Sequence, residues 1–282
     1  MKTGLLFIAS LISLGSFAQK ATKKADATST LKLELGQAIK VTTESDMDME
    51  MSMGMNMKNK TTAYNTFKVT AVTDDTYTLT STLDRMVMSA DAMGQDMKYD
   101  SDKKEDRESE TGKAIGTKIG TPFTATIDRK TGSVKVDKKD IEEKDTENNP
   151  MASMMSAGQN ETENIKSFFF VLPAGMKTGS TWQDSTMVDK MKTNTIYTLK
   201  SIDGNQATVG YTTLLSGTNQ MEAQGMSFDV NMKSTTIGDI IYDVKTSLVK
   251  SRSAKADVSG TIDMGGQSMD ITATATSTTD FK

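Results

Sequence analysis

Residues 46 to 57 read Asp-Met-Asp-Met-Glu-Met-Ser-Met-Gly-Met-Asn-Met, so Met47, Met49, Met51, Met53, Met55 and Met57 occupy every second position. In an extended strand alternate side chains point to opposite faces. The six thioethers then share one face while Asp46, Asp48 and Glu50 share the other. A turn at Gly54 would set Met51 or Met53 against Met55 or Met57 across the two arms. Further methionines fall near candidate strand tips: Met93 and Met97, Met221 and Met226, Met264 and Met269. Two chemistries suit such a surface. Unbranched, polarizable thioethers adapt to an apolar small molecule, a lipid, a fatty acid or a hydrophobic peptide. Three or four converging sulfurs bind Cu(I) without histidine or cysteine. A third reading has methionine fill the core of a chain poor in Leu, Ile and Phe. The expected ligand contacts are the six hairpin methionines, with Met93, Met97, Met221 and Met226 second; no metal site and no cofactor is assigned.

The rest of the 282 residues narrows the chemistry. There is no histidine and no cysteine, which removes imidazole bases, thiolate nucleophiles, disulfides, zinc sites of the usual kind and haem ligation through either residue. No nucleophile elbow or phosphate loop is present. Paired carboxylates, as in glycoside hydrolases, are the major catalytic chemistry left. They ask for a sugar cleft lined with aromatics, and the chain has 1 Trp and 6% aromatic residues. The expectation is a non-enzymatic protein that binds an apolar small molecule or lipid in a methionine-lined cavity or serves as an envelope component, with Cu(I) binding and a carboxylate-dependent hydrolase as the alternatives. Asp100 and Asp102, and the acidic run from Asp140 to Glu147, contain oxygen ligands for calcium, but neither has a loop signature with a glycine at its bend, and mixed charge reads as solvated loop. A formal net charge of −4 gains nothing from nucleic acid.

The N-terminus reads as a secretory signal peptide. Lys2 supplies the positive end, Leu5 to Leu14 the apolar stretch, and Ser16-Phe17-Ala18 the cleavage signature, with the mature chain starting at Gln19. That implies a periplasmic or extracellular location. Residues 19–30 are small, polar and aperiodic, and read as a disordered leader. No later apolar run reaches membrane-span length, so no integral membrane segment is expected after cleavage. A transmembrane barrel would need aromatic girdles and an outward apolar band, which rows of Thr, Lys and Ser do not supply.

The elements that must position the methionines are strands. The chain holds 42 threonines and only 3 prolines, and β-branched threonine suits a pleated, half-exposed surface. Period-two runs start at Phe67, Tyr77, Phe123, Ser133, Ile196, Ala207 and Asp270, separated by turn chemistry at Asp74-Asp75, at Arg129 to Gly132, at Asp203-Gly204-Asn205 and at Gly265-Gly266-Gln267. Residues 137–171 break the pattern: a charged run to Pro150, then Ile165, Phe168, Phe169 and Leu172 at helical spacing before Pro173. They read as a charged helix or loop followed by a short amphipathic helix, with a buried strand over Phe168 to Leu172 as the alternative.

The sequence also repeats. Thr66 to Asp74 lines up with Ile196 to Gly204, Gln95 to Asp100 with Gln224 to Asp229, and Asp128 to Lys135 with Asp243 to Lys250. The chain therefore divides into a first β half (31–136), a connector (137–171) and a second β half (172–282) with a C-terminal hairpin. The expected architecture is mostly β, an antiparallel barrel or curved-sheet sandwich from two tandem-duplicated halves with a short helical connector. Two half-sheets related by a pseudo-twofold and closing into one barrel would remove the edge strands.

The segments LKLELGQAIKVTTESDMDMEM, PAGMKTGSTW and IYTLKSIDGNQATV resemble a domain family of unknown function of secreted bacterial β proteins. It is marked by a lysine-flanked opening strand, Met-Gly-Gln hairpins and a Gly-x-x-Trp segment. The resemblance runs from Leu31 to Lys282 and implies a β fold with no assigned activity. The first hairpin departs from the pattern, reading MSMGMNMK where the family has a Met-Gly-Gln turn.

Overall fold

The computed structural model describes residues 31–52, 54–92, 95–109, 112–113, 119–129, 132–136, 165–173, 175–188, 190–223, 226–264 and 267–282. The residues read above as signal peptide (1–18) and leader (19–30), and the charged part of the connector, lie outside them. In chain order the strands are β1 (Ala38–Met51), β2 (Met55–Val72), β3 (Thr76–Ala92), β4 (Gln95–Asp100), β5 (Pro122–Asp128), β6 (Val134–Val136), β7 (Thr181–Val188), β8 (Met191–Asp203), β9 (Gln206–Ala223), β10 (Met226–Asp243), β11 (Val249–Met264) and β12 (Gln267–Phe281), with one short helix, α1 (Lys104–Glu108). The protein is mostly β, as its threonine-rich alternation requires.

The strands form one antiparallel sheet in the order β6-β5-β3-β2-β1-β12-β11-β10-β9-β8-β7, with β4 beside β3. Two expectations are corrected here. Of the two expected forms the curved sheet is the one found and the closed barrel is not: among the described residues β6 and β7, at the two ends of the order, pair with β5 and β8 and not with each other. The halves are not related by a twofold either, since β1, β2, β3, β5 and β6 run across the sheet in the same sense as β7, β8, β9, β10 and β11. The C-terminal strand β12 is the reason. It pairs with both β1 and β11, joining the halves side by side through main-chain hydrogen bonds.

The matched sequence segments share local geometry. Ladder shifts place one extra residue, Thr70 on β2 and Lys200 on β8, at equivalent points, the bulge that re-aims a twisted strand. The β5–β6 turn and the β10–β11 turn each carry a left-handed residue at the same step, Gly132 (φ 68) and Ser247 (φ 61). Gly132 N–H donates to Asp128 O at 2.9 Å, and Ser247 N–H to Asp243 O at 2.8 Å.

Curvature follows from the aromatic contacts. β2 and β7 stand seven places apart in the sheet, about 34 Å in a flat sheet at ~4.8 Å per strand. Yet the Phe168 ring lies 5.3 Å from Phe67 on β2, and Phe170 lies 6.2 Å from Trp182 on β7. Residues two apart can touch both only if the sheet rolls around them. Residues 165–172 therefore sit inside the roll, in one core with Leu31, Val69, Leu79, Ile127, Leu199, Val209 and Tyr242. The expected amphipathic helix shrinks to a single turn over 165–167. Beyond it Phe169 bridges to Leu248, Phe170 N–H donates to Ser247 O at 2.8 Å, and Val249 N–H donates to Phe168 O at 2.8 Å. Those main-chain partners outbid the helical spacing and hold the segment extended.

Two substitutions test this arrangement. Phe168→Ala is expected to cost about 3–5 kcal/mol, read by urea unfolding, because its ring joins the inserted segment to the first half. Ser247→Gly is expected to raise the unfolding free energy by about 1 kcal/mol, since Ser247 is a left-handed non-glycine whose buried hydroxyl has no hydrogen-bond partner among the described residues.

Candidate functional site

One face of the sheet carries the buried side chains and is called inward here. On β1 that face holds Ile39, Val41, Met47, Met49 and Met51, while Asp46 and Glu50 are exposed on the other. Gly54 (φ 74) turns the chain, and the register sets Met49 opposite Met57 and Met51 opposite Met55. On the other flank of β1, Met47 faces Ala275, Met49 faces Ala273 and Met51 faces Ile271 of β12. Long flexible side chains thus lie beside short ones, and Met47, Met49, Met51 and Met57 bury themselves in a cluster with Met269, Ile271, Val258, Ile262 and Val230.

The remaining expected contacts are distributed as follows. Met53 and Met93 lie outside the described residues. Met55 on β2, Met221 on β9 and Met226 on β10 are placed by register alone, opposite Met51, Phe228 and Ala223. Met97 is half-buried on β4 opposite Ala90, apart from the cluster. Met269 joins the hairpin methionines, and Met232, which alternation alone did not single out, packs against them. Met86 and Met88 form a separate small cluster with Tyr99. The antiparallel order puts the β1–β2, β3–β4, β7–β8, β9–β10 and β11–β12 tips at one end of the sheet, and the aromatic core at the other.

Between the two clusters the inward face is a band of small and hydroxylated residues. Thr43, Ser45, Ala63, Ala254, Ser277 and Thr279 are half-exposed there, and Thr43 and Thr279 share a hydroxyl hydrogen bond at 3.3 Å. Toward β7 the band becomes buried: Thr195 and Thr213 hydroxyls lie 2.9 Å apart. Tyr197 stacks on Trp182 at 5.3 Å, and the Arg252 guanidinium carbon stands 5.6 Å from the centre of the Tyr211 ring. Gly238 makes room for that ring, since a Cβ there would lie 2.6 Å from Tyr211 Cζ and 2.1 Å from Ser253 O. Sequence reasoning passed over Arg252 and Asp184. The signal was present: Arg252 shares parity with Ala254, Ala256 and Val258, and Asp184 with Trp182.

The acidic candidates go elsewhere. Arg85 donates to both Asp100 oxygens, at 3.1 and 2.8 Å, and pairs with Asp102 at 3.0 Å. The bidentate guanidinium, foremost, holds the Asp100 carboxyl below its ordinary range. Among the described residues no group of three acidic side chains gathers to hold a metal ion. The hydrolase alternative needs two carboxylates facing one cleft. Among the described strand residues Asp184 is the carboxylate on the inward register; those of β1 and β10–β12 alternate outward.

The site thus defines an open, rolled antiparallel sheet whose inner surface carries two apolar clusters separated by a hydroxyl-rich band. Residues 74–249 match the family of unknown function DUF6263, and the chain belongs to that family. No curated protein matches the sequence. Among solved structures, one described as lipid–protein interactions in lipovitellin is similar at 10% identity and a TM-score of 0.47, covering 87% of this chain. The chain spans 25% of the length of that lipovitellin chain. An outer membrane channel from Pseudomonas putida F1 is similar at 8% identity and a TM-score of 0.26, over 93% of this chain and 100% of that one. OccK5 (OpdH) of Pseudomonas aeruginosa follows at 8% identity and 0.25, over 89% and 99%. Likenesses this slight transfer no function. No helix of the described residues is long and apolar enough to cross a membrane.

Burial pushes the phenols of Tyr197 and Tyr242 up to about 12, and desolvation is the leading cause in both. A raised phenol pKa favours the neutral form in the folded state. The unfolded chain ionises first once pH passes 10.0, so this contribution is complete below that value and is lost as pH climbs toward about 12. Absorbance titration at the tyrosinate band, run beside circular dichroism, is expected to show late-ionising tyrosines, Tyr197 and Tyr242 the latest among them, whose titration coincides with alkaline unfolding. In the methionine cluster, Met49→Leu is expected to cost less than about 1.5 kcal/mol and Met49→Ala about 2–5 kcal/mol, read by urea unfolding.

Proposed function

We propose that this chain is a secreted, non-enzymatic β protein of the periplasm or extracellular space. In this reading it holds an apolar small molecule or lipid along the methionine-lined end of its rolled sheet. The observation that carries the reading is the half-exposed inner band, bounded on one side by Met47, Met49, Met51 and Met57 and on the other by the aromatic core. An open sheet leaves such a band a lateral entrance. Thioether side chains re-pack around ligands of varied shape at little rotameric cost, so the methionine end suits a flexible hydrocarbon better than one rigid ligand. Secretion rests on the N-terminal pattern of Lys2, Leu5 to Leu14 and Ala18. A tandem duplication accounts for the shared bulges at Thr70 and Lys200 and the shared left-handed turns at Gly132 and Ser247.

Native mass spectrometry of protein purified from its own cells tests the reading. A heterogeneous set of adducts that solvent extraction removes and added dodecanol restores is the expected result. A clean apo mass that persists in excess dodecanol overturns it. Cu(I) titration under reducing conditions is the companion measurement. Stoichiometric binding that disappears when the six hairpin methionines become leucine would reassign the cluster to a soft metal.

A further inference from the structure

The strand register separates charge from the inner surface almost completely. At the described inward positions the side chains are apolar, small, aromatic, hydroxylated or amide-bearing, with two exceptions, Asp184 on β7 and Arg252 on β11. Outward positions carry the rest, among them Asp48, Lys58, Lys255 and Asp257. A charge placed on such a face against that pattern needs a reason.

The two exceptions are unequal. Arg252 lies against the Tyr211 ring and has further interactions of its own. Asp184 accepts a hydrogen bond at one oxygen, from Ser185 N–H at 2.8 Å, while its Oδ2 is buried without a hydrogen-bond partner among the described residues. A buried carboxylate oxygen with no donor bears its desolvation cost uncompensated. Its surroundings suit a donor from outside the chain. Thr195 stands opposite it on β8, with Thr213 next on β9, and Trp182 and Tyr197 form the neighbouring cross-strand pair on the same face. A carboxylate beside aromatic rings is the chemistry that recognises an organic cation. β7 is also the last strand of the sheet, so Asp184 lies at its margin.

We propose that Asp184, with Thr195, Trp182 and Tyr197 around it, is a head-group subsite, and that the bound molecule is an amphiphile with a protonated amine at one end. This rests on the apolar-ligand reading above and adds the ligand's polar end. Its hydrocarbon part runs along the hydroxyl band toward the methionine cluster.

Trp182 is the only tryptophan in the chain, so its emission reports this subsite directly. The experiment titrates the whole secreted protein with dodecylamine, dodecanol and dodecanoate below their micellar concentrations, following Trp182 emission with native mass spectrometry alongside. Dodecylamine is expected to bind about tenfold or more tightly than either of the others. Asp184→Asn should abolish that preference, and Asp257→Asn, an outward carboxylate, should preserve it. Equal affinity for all three probes overturns the head-group assignment and leaves the apolar-ligand reading standing. So does a preference for dodecanoate, which would hand the head group to Arg252. Binding of none of the three by either method removes both. The comparison of heads on the unmodified protein needs no variant, so a misfolded Asp184→Asn does not blunt it.

Discussion

The architecture depends on an aromatic insertion. Phe168 and Phe170 are neighbours on one short segment, and their rings touch strands that a flat sheet would hold tens of ångströms apart. Burying these rings is worth several kcal/mol each, and no flat arrangement satisfies both. Main-chain bonds from the same segment reach the β10–β11 turn, and the Phe169 ring lies 3.1 Å from where a Cβ on Gly132 would stand, at the β5–β6 turn. One stretch of chain thus clamps equivalent turns of both halves. Rolling is imposed from inside, without the pairing of edges that closes a barrel.

Once the sheet is rolled, strict alternation has a consequence that it lacks in a flat sheet. Every second residue of long strands turns toward a shared interior. At the aromatic end the interior is filled by the inserted segment. In the middle the inward residues are threonine, serine, alanine and glycine, and hydroxyl pairs such as Thr195 with Thr213 satisfy each other across strands. At the tip end, methionine on β1 stands beside alanine on β12, a large–small pairing that lets long side chains lie down over short ones. The outer face needs no such fitting and carries the charge, as in Lys58 paired with Asp48 at 3.2 Å.

Alternation was legible in the sequence; the strand order was not. The runs from Phe67, Tyr77, Ile196, Ala207 and Asp270 all lie in strands, and the Met47 to Met51 face could be read directly from Asp-Met-Asp-Met-Glu-Met. Bulges hid other residues. The ladder skips Asp84, so inward parity changes from Leu83 to Met86 and Met88, and these methionines escape a simple period-two count. Residues 165–172 leave a helix and a buried strand both open, and long-range main-chain partners decide between them: one helical turn at 165–167, then extended chain from Phe169. The same holds for β12. Nothing in its threonine-alanine alternation says that it lies between β1 and β11, and that placement turns an expected twofold into a same-sense array.

The open margins connect this construction to the proposed binding role. A closed barrel removes edge strands but fixes its bore, whereas a rolled sheet clamped at one end fixes only that end. Its edges must then resist pairing with other chains. β6 is three residues long, and β7 presents Thr181, Gln183 and Ser185 outward, with Asp184 inward. An inward charge on an edge strand is one way proteins discourage edge-to-edge association, so Asp184 has a structural use whether or not a ligand meets it. That use does not account for the company it keeps. Edge protection asks for a solvated charge, while Asp184 Oδ2 is buried beside Trp182 and Tyr197. A solvated carboxylate would protect the edge at less cost, so burial at this position points to a contact that the described residues do not themselves supply.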